Sequence, residues 1–190
     1  MMDFFTVIEK RVSVRNFSEK EVEDEKIKKI LTAAQKAPSW QNRQPWHFIV
    51  VKDKELINKI GSFRPLTLNI NIFLKKAPVI IILVSKKELS GSRAGLDYFL
   101  VDCAIAMEHL ILAATALGLG TCWIGAFDED YLKEILKIPK DFRIIALTPL
   151  GYPQEESLLG KAVKTFAQSR KRKPLSQFVF LNQWGNKWEL

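Results

Sequence analysis

The stretch Gly118-Leu119-Gly120-Thr121-Cys122-Trp123-Ile124-Gly125-Ala126-Phe127 carries the choice of fold class, because its glycines imitate a dinucleotide fingerprint while its surroundings exclude one. A Rossmann glycine loop follows a strand and opens a helix, so that a pyrophosphate rests on the helix N-terminus. Here the order is reversed. The loop closes a long apolar helix predicted from about Tyr98 to Leu117 and leads into a short strand, Thr121–Ile124. Gly118 and Gly120 read as helix-stop and turn glycines, and Gly125 as a place where the backbone comes close to something flat.

Working outward, hydrophobic periodicity and breakers predict helices Asp3–Lys10, Glu21–Lys36, Lys54–Phe63 and Glu129–Leu136, with a loop or short helix to Lys76. Strands are predicted at Trp46–Val51, Val79–Val84 and Arg143–Leu150, and a Ser-Gly-Ser loop at Ser90 to Ser92. Ile27, Ile30, Leu31 and Ala34 give the helix from Glu21 one apolar stripe. The helix from Tyr98 differs, since Phe99, Leu100, Val101, Ala104, Ile105, Leu110, Ile111 and Leu112 wrap most of its circumference. Such a helix must be enclosed, either at the centre of a dimer or as the core helix of a monomer, and the first placement is preferred.

Two polar segments carry candidate binding groups. In Ala37-Pro38-Ser39-Trp40-Gln41-Asn42-Arg43-Gln44-Pro45-Trp46 an amide-rich loop is pinned between two prolines. Pro38 ends the preceding helix and Pro45 is expected to hold Gln44 extended, giving a nearly rigid frame suited to a planar heterocycle. The competing reading is an ordinary polar turn. In Lys10-Arg11-Val12-Ser13-Val14-Arg15-Asn16-Phe17, the residues Arg11, Ser13 and Arg15 alternate with Val12 and Val14, placing two guanidinium groups and a hydroxyl on one face of an extended segment. That face suits a phosphate, which the planar guanidinium fork matches bidentately; the alternative is a solvated edge strand.

The 190 residues suit one domain, which at this length buries about 70% of its unfolded surface. Val79–Val84 is strand-sized and far below the roughly 20 apolar residues of a membrane span. The first 18 residues have no long apolar centre, so no secretory signal is read and a cytoplasmic location is expected. Cys103 and Cys122 read as buried free thiols and His47 and His109 as structural; the spacings offer no metal cage. No Gly-x-Ser-x-Gly elbow or Walker loop occurs. Of the formal charge of +8, seven basic residues (Lys161, Lys164, Arg170, Lys171, Arg172, Lys173 and Lys187) lie between Ser157 and Trp188 with no acidic one, leaving +1 elsewhere. This arm could track a nucleic-acid backbone. A single phosphate held by Arg170 and Arg172 is preferred, because Phe178-Val179-Phe180-Leu181 and Trp184 follow and want burial.

Taken together and in order, Arg11-x-Ser13-x-Arg15, Pro38-Ser39-x-x-Asn42-x-Gln44-Pro45-Trp46, Gly118–Gly125 and Leu150-Gly151-Tyr152-Pro153 followed by Arg170–Leu175 resemble the FMN-dependent nitroreductases along nearly the whole chain. The resemblance implies an α+β fold, a sheet flanked by helices, in a single domain over residues 1–190. It also implies a homodimer whose C-terminal arm, residues 161–190, is exchanged over the partner, with FMN at the interface. Arg11, Ser13, Arg170 and Arg172 would hold its phosphate, and Arg15 would lie near flavin N1 and the C2 carbonyl. The amides of Gly125 and Ala126 would face N5 and O4, with Asn69 or Asn71 at the pyrimidine edge. Pro38, Ser39, Trp40 and Asn42 would come from the other subunit.

Position 40 is usually small in this family, so Trp40 is expected to narrow the pocket or stack on substrate. The implied activity is ping-pong hydride transfer from NAD(P)H to a nitro compound, quinone or similar acceptor, with no catalytic side chain, metal, membrane or nucleic acid. Reductive dehalogenation or flavin breakdown on the same fold, and non-catalytic flavin or nucleic-acid binding, are the alternatives.

Overall fold

The computed structural model describes residues 2–62, 71–154 and 172–188. Its contacts divide the chain into two compact units, Met1–Glu156 and Ser157–Leu190. The second unit begins four residues before the arm, residues 161–190, that the resemblance implies.

The first unit is built on a fully antiparallel sheet. Strands β1 (His47–Val51), β2 (Val79–Ser85), β5 (Gly120–Thr121) and β6 (Arg143–Gly151) lie in the order β1-β2-β6-β5. A two-stranded ribbon, β3 (Ser92–Arg93) with β4 (Leu96–Asp97), stands apart. The helices are α1 (Phe4–Lys10), α2 (Asp24–Gln35), α3 (Lys54–Ile60), α4 (Tyr98–Ala116) and α5 (Glu129–Leu136).

Every residue of β2 is buried, and the reason is visible in the alternation of its side chains. Val79, Ile81 and Leu83 join Ile27, Ile30, Met107 and Leu110 in one core, against α2 and α4. Ile80, Ile82 and Val84 join Ile57, Ile60, Leu74 and Leu132 in a second core, against α3 and α5. Helices on both faces account for a continuous apolar run in an antiparallel strand, which otherwise alternates with polar residues. The sheet flanked by helices expected from the sequence is thus found.

The helix ends follow local chemistry. Asp3, Asp53 and Asp128 each accept a backbone N–H of the first turn, from Thr6, Leu56 and Tyr131. Gly118 ends the Leu117 turn with φ +75°, a left-handed conformation that favours glycine. Several predicted elements are shorter than expected: α3 stops at Ile60, and the Thr121–Ile124 strand is reduced to β5 plus a single bridge between Ile124 and Leu147.

Helix α4 is enclosed on one face only within the single chain, unlike the core helix of a monomer that was the less preferred of its two expected placements. Phe99, Cys103, Ala106, Met107, Leu110 and Ala114 face inward and are buried, whereas Leu100 is 48% exposed and Val101 36%. By length and composition α4 could cross a membrane; in this fold its inner face packs on α2 and the sheet. Phe4, Phe5 and Ile8 of α1 are also exposed.

In the second unit, Leu175–Gln177 form a short 3-10 turn, and Phe180 bridges to Lys187. Leu175, Phe178, Leu181, Trp184 and Trp188 are all exposed.

Candidate functional site

The chain from Arg11 to Arg15 lies beside the edge of the sheet. Ser13 bridges in parallel to Thr121, and the Val14 N–H donates to the Thr121 carbonyl at 2.8 Å. The Phe17 bridge to Pro153 and the bond from the Ser18 N–H to the Tyr152 carbonyl (2.9 Å) fasten the next stretch to the chain beyond β6. The segment is thereby held as an extended edge, without forming a regular strand.

Arg11, Ser13 and Arg15 converge there on Cys122. Burial pushes the Cys122 thiol up, while the Arg15 charge, the Ser13 hydroxyl and the Arg11 charge act in the opposite direction. Arg11 also acts on Glu108 of α4, whose carboxyl is pushed up by burial against the pull of Arg11 and His109. Arg15 sits 5.9 Å from the centre of the Phe73 ring. Its Nη1 is buried with no hydrogen-bond partner among the described residues. A buried guanidinium nitrogen without an acceptor is costly, and an electron-rich ligand oxygen or nitrogen would satisfy it.

The loop after β5 completes this side. Reciprocal bonds between Ile124 and Leu147 (2.9 and 3.1 Å) fix the chain to β6, leaving Gly125 and Ala126 exposed. A Cβ on Gly125 would meet nothing within 4 Å. Asn71, 4% exposed, donates its side-chain amide to the Ala126 carbonyl at 2.6 Å. It orients the loop from behind, a role the sequence did not suggest. Asn69 and Arg170 lie outside the described residues; Arg172 is exposed.

The structure places Pro38, Ser39, Trp40 and Asn42 elsewhere, at the N-terminal end of α4. The Trp40 N–H donates to Asp102 Oδ1 at 2.9 Å, and the Trp40 indole packs on Tyr98 with ring centres 4.1 Å apart. Asp102 and Glu108 are six residues apart, about 9 Å along the helix axis. The sequence-predicted residues thus form two groups in the chain: Arg11, Ser13, Arg15, Asn71, Gly125 and Ala126 at the β5 edge, and Pro38, Ser39, Trp40 and Asn42 at the start of α4.

One local expectation is overturned. Gln44 is left-handed (φ 48°) rather than extended, although proline follows it. Its N–H is captured by Ser39 Oγ at 2.9 Å and its side-chain amide donates to Asn42 Oδ1 at 3.1 Å. These bonds outweigh the preference of the residue before proline for extended backbone. The cysteines are buried thiols as read; burial pushes Cys103 up to about 12.

The donor set fits a flavin mononucleotide: guanidinium and hydroxyl groups for phosphate, an unpartnered buried arginine nitrogen, and exposed backbone at a glycine. A sequence model of the Nitroreductase family matches residues 8–64 and 63–152. The chain is 34% identical to a protein of Archaeoglobus fulgidus named as a proposed NADH dehydrogenase/NAD(P)H nitroreductase, across 90% of this chain and 97% of that one. It is similar in structure to a nitroreductase family protein from Clostridium novyi NT (TM-score 0.78, 37% identity, 98% of this chain and 97% of that one). An FMN-dependent nitroreductase from Clostridium difficile R20291 superposes with TM-score 0.68 at 33% identity, over 80% of this chain and 89% of that one. With a family model matching most of its length and a relative 34% identical over nine-tenths of it, the chain belongs to the nitroreductase family.

Proposed function

We propose that this chain, an FMN-dependent oxidoreductase by its family, moves hydride from NAD(P)H to a nitro compound, quinone or similar small acceptor by a ping-pong mechanism. The observation that carries the reading is Arg15, whose buried Nη1 has no hydrogen-bond partner among the described residues. Bound FMN supplies the hydride acceptor and donor.

In this reading Arg11 and Ser13, with Arg170 and Arg172, hold the phosphate through charge-assisted hydrogen bonds. Arg15 presents a fixed positive charge to the flavin N1 and C2 carbonyl, where negative charge accumulates on reduction, and so raises the reduction potential. The backbone of Gly125 and Ala126, braced by Asn71, faces N5 and O4. Pro38, Ser39, Trp40 and Asn42 are contributed by a second copy of the chain. The exposed apolar residues of α1 and α4 support such an association, since burying Phe4, Phe5, Leu100 and Val101 would be stabilising.

The same proposal gives the C-terminal arm its place. In β1 the outer edge has no neighbouring strand among the described residues. A groove of about 530 Å³ runs beside it, lined by Ile27, Leu31, Trp46, Phe48 and Val50 together with the polar Asp24, Lys28, Thr32, Gln35 and Lys52. The exposed Phe178, Leu181 and Trp184 of the arm would gain burial against a partner. The whole chain then works as one domain with its arm laid on a partner, in the cytoplasm where NAD(P)H is supplied.

The test is the reduction potential of the bound cofactor in wild type and Arg15→Ala. The reading expects a fall of about 30 mV or more when the charge is removed, since 30 mV in a two-electron couple is about 1.4 kcal/mol. An unchanged potential would place Arg15 away from the flavin.

A further inference from the structure

We infer that Asp102 is a positioning residue: a buried carboxylate that holds the strained loop from Ser39 to Pro45 in the shape that presents Ser39 and Asn42 to the cofactor. The inference rests on the cofactor reading above and adds to it a residue that touches no ligand.

The loop is under unusual backbone strain. Gln41, Asn42 and Gln44 all have positive φ (48°, 57° and 48°), and none is glycine. Side chains with a Cβ occupy this region at a cost and persist there only where the surroundings over-determine it. The loop's own bonds supply part of that constraint. The Asn42 N–H donates to the Ser39 carbonyl (3.0 Å), the Arg43 N–H to the Trp40 carbonyl (2.9 Å), and the Gln44 N–H to Ser39 Oγ (2.9 Å).

The remaining constraint comes from the core. Asp102 is 2% exposed, and its two oxygens are divided between two chain segments: Oδ1 accepts the Trp40 N–H at 2.9 Å, and Oδ2 accepts the Ser90 hydroxyl at 2.7 Å. At the far end of the loop the fully buried Ser85 hydroxyl donates to the Pro45 carbonyl at 2.8 Å. The loop is therefore fastened at both ends by polar side chains that have no solvent of their own. Such bonds are stiff, because breaking one leaves a buried polar group without a partner.

Trp40 joins the second segment to the first. Its indole packs on Tyr98, and a Cβ on Gly91 would run into it. The Tyr98 N–H in turn donates to the Gly91 carbonyl at 2.9 Å. Asp102 and Trp40 thus lock the 39–45 loop to the 90–98 segment as one body. The departure from a small residue at position 40 finds its use here, in packing against its own chain.

The experiment uses full-length protein with added FMN and compares wild type, Asp102→Ala, Asp102→Asn and Ser90→Ala. Asparagine keeps an acceptor for the Trp40 N–H and can donate its amide to Ser90 Oγ, so it preserves the clamp; alanine removes both bonds. Two readouts are taken, FMN affinity by flavin fluorescence and hydrogen exchange of the 37–46 peptide by mass spectrometry. In Asp102→Ala, loop exchange is expected to rise about tenfold or more and FMN to bind about tenfold more weakly. Asp102→Asn is expected to stay within about threefold of wild type on both, and Ser90→Ala to fall between them. Should the alanine variant not fold, the graded pair Ser90→Ala and Asp102→Asn carries the same comparison. Faster loop exchange with unaltered FMN affinity overturns the inference alone, as does unaltered loop exchange. Wild-type protein that takes up no FMN overturns the cofactor reading and this inference with it.

Discussion

The side chain of Val14 stands where a Cβ on Gly120 would have to go, at 2.7 Å from that position. Gly120 lies within β5, so its lack of a side chain lets the Arg11–Arg15 segment approach the sheet edge and bond to Thr121. Arg11, Ser13 and Arg15 are held at the sheet edge because Gly120, far along the chain in β5, makes room for Val14.

Gly120→Ala is therefore expected to destabilise the protein by about 1–3 kcal/mol, the usual cost of overpacking. Gly125→Ala should change stability by no more than about 0.5 kcal/mol, because a Cβ there meets open space. Urea midpoints of the two variants check the contrast. Equal stability in both would show that Val14 can yield.

Removing Arg11 or Arg172, two of the arginines proposed to hold the phosphate, tests that assignment. Arg11→Ala and Arg172→Ala should each weaken FMN binding roughly ten- to a hundredfold, the loss of one charge-assisted bond of about 1.5–3 kcal/mol. Fluorescence titration gives the affinities. Wild-type affinity in both variants would remove these residues from the phosphate site.

Acid stability should depend on Glu129. Burial raises its carboxyl, but hydrogen bonds from Arg143, Lys133 and the Ile144 N–H outweigh burial and hold it below its ordinary value. A carboxyl lowered in the folded state stabilises the fold fully above its unfolded value of 4.5, and that contribution disappears as pH falls through the lower, folded value. Glu129→Gln should lose about 1 kcal/mol at pH 7 and show a flatter stability profile below pH about 5. Chemical denaturation at stepped pH measures both, and parallel profiles for the two proteins would contradict the assignment.

The sheet and its helices could be read from the sequence because their signals are local. Val79–Val84 is an uninterrupted β-branched and leucine run, and Ile27, Ile30 and Ala34 repeat at helical spacing. The reversed order of helix, glycines and strand around Gly118 was enough to exclude a Rossmann loop. What escaped the reading depends on contacts distant in sequence. Asp102 resembles any polar residue in a helix until Trp40 and Ser90 are seen to share it, 62 and 12 residues away. The bond from the Asn71 amide to the Ala126 carbonyl, 55 residues on, was not legible in the sequence. Gln44 was expected to follow its proline, and here the contact is local but specific: Ser39 Oγ, five residues back, sets its backbone. The half-exposed face of α4 was hidden for another reason, since apolar composition is the same whether a protomer or a second copy provides the cover.

Association and cofactor should be lost together. Deleting the chain from Gln177 onward removes Phe178, Leu181 and Trp184 while leaving Arg170 and Arg172. Sedimentation followed at the flavin wavelength should show a smaller species without FMN. A truncated monomer carrying one FMN per chain would place the whole site within one copy.

The visible spectrum of purified full-length protein, before and after anaerobic addition of NADH or NADPH, decides whether the chain carries hydride on FMN. A yellow protein is expected that releases one FMN per chain and whose flavin band bleaches when the nicotinamide is added. A colourless protein that neither retains added FMN nor bleaches it would rule out FMN-dependent hydride transfer.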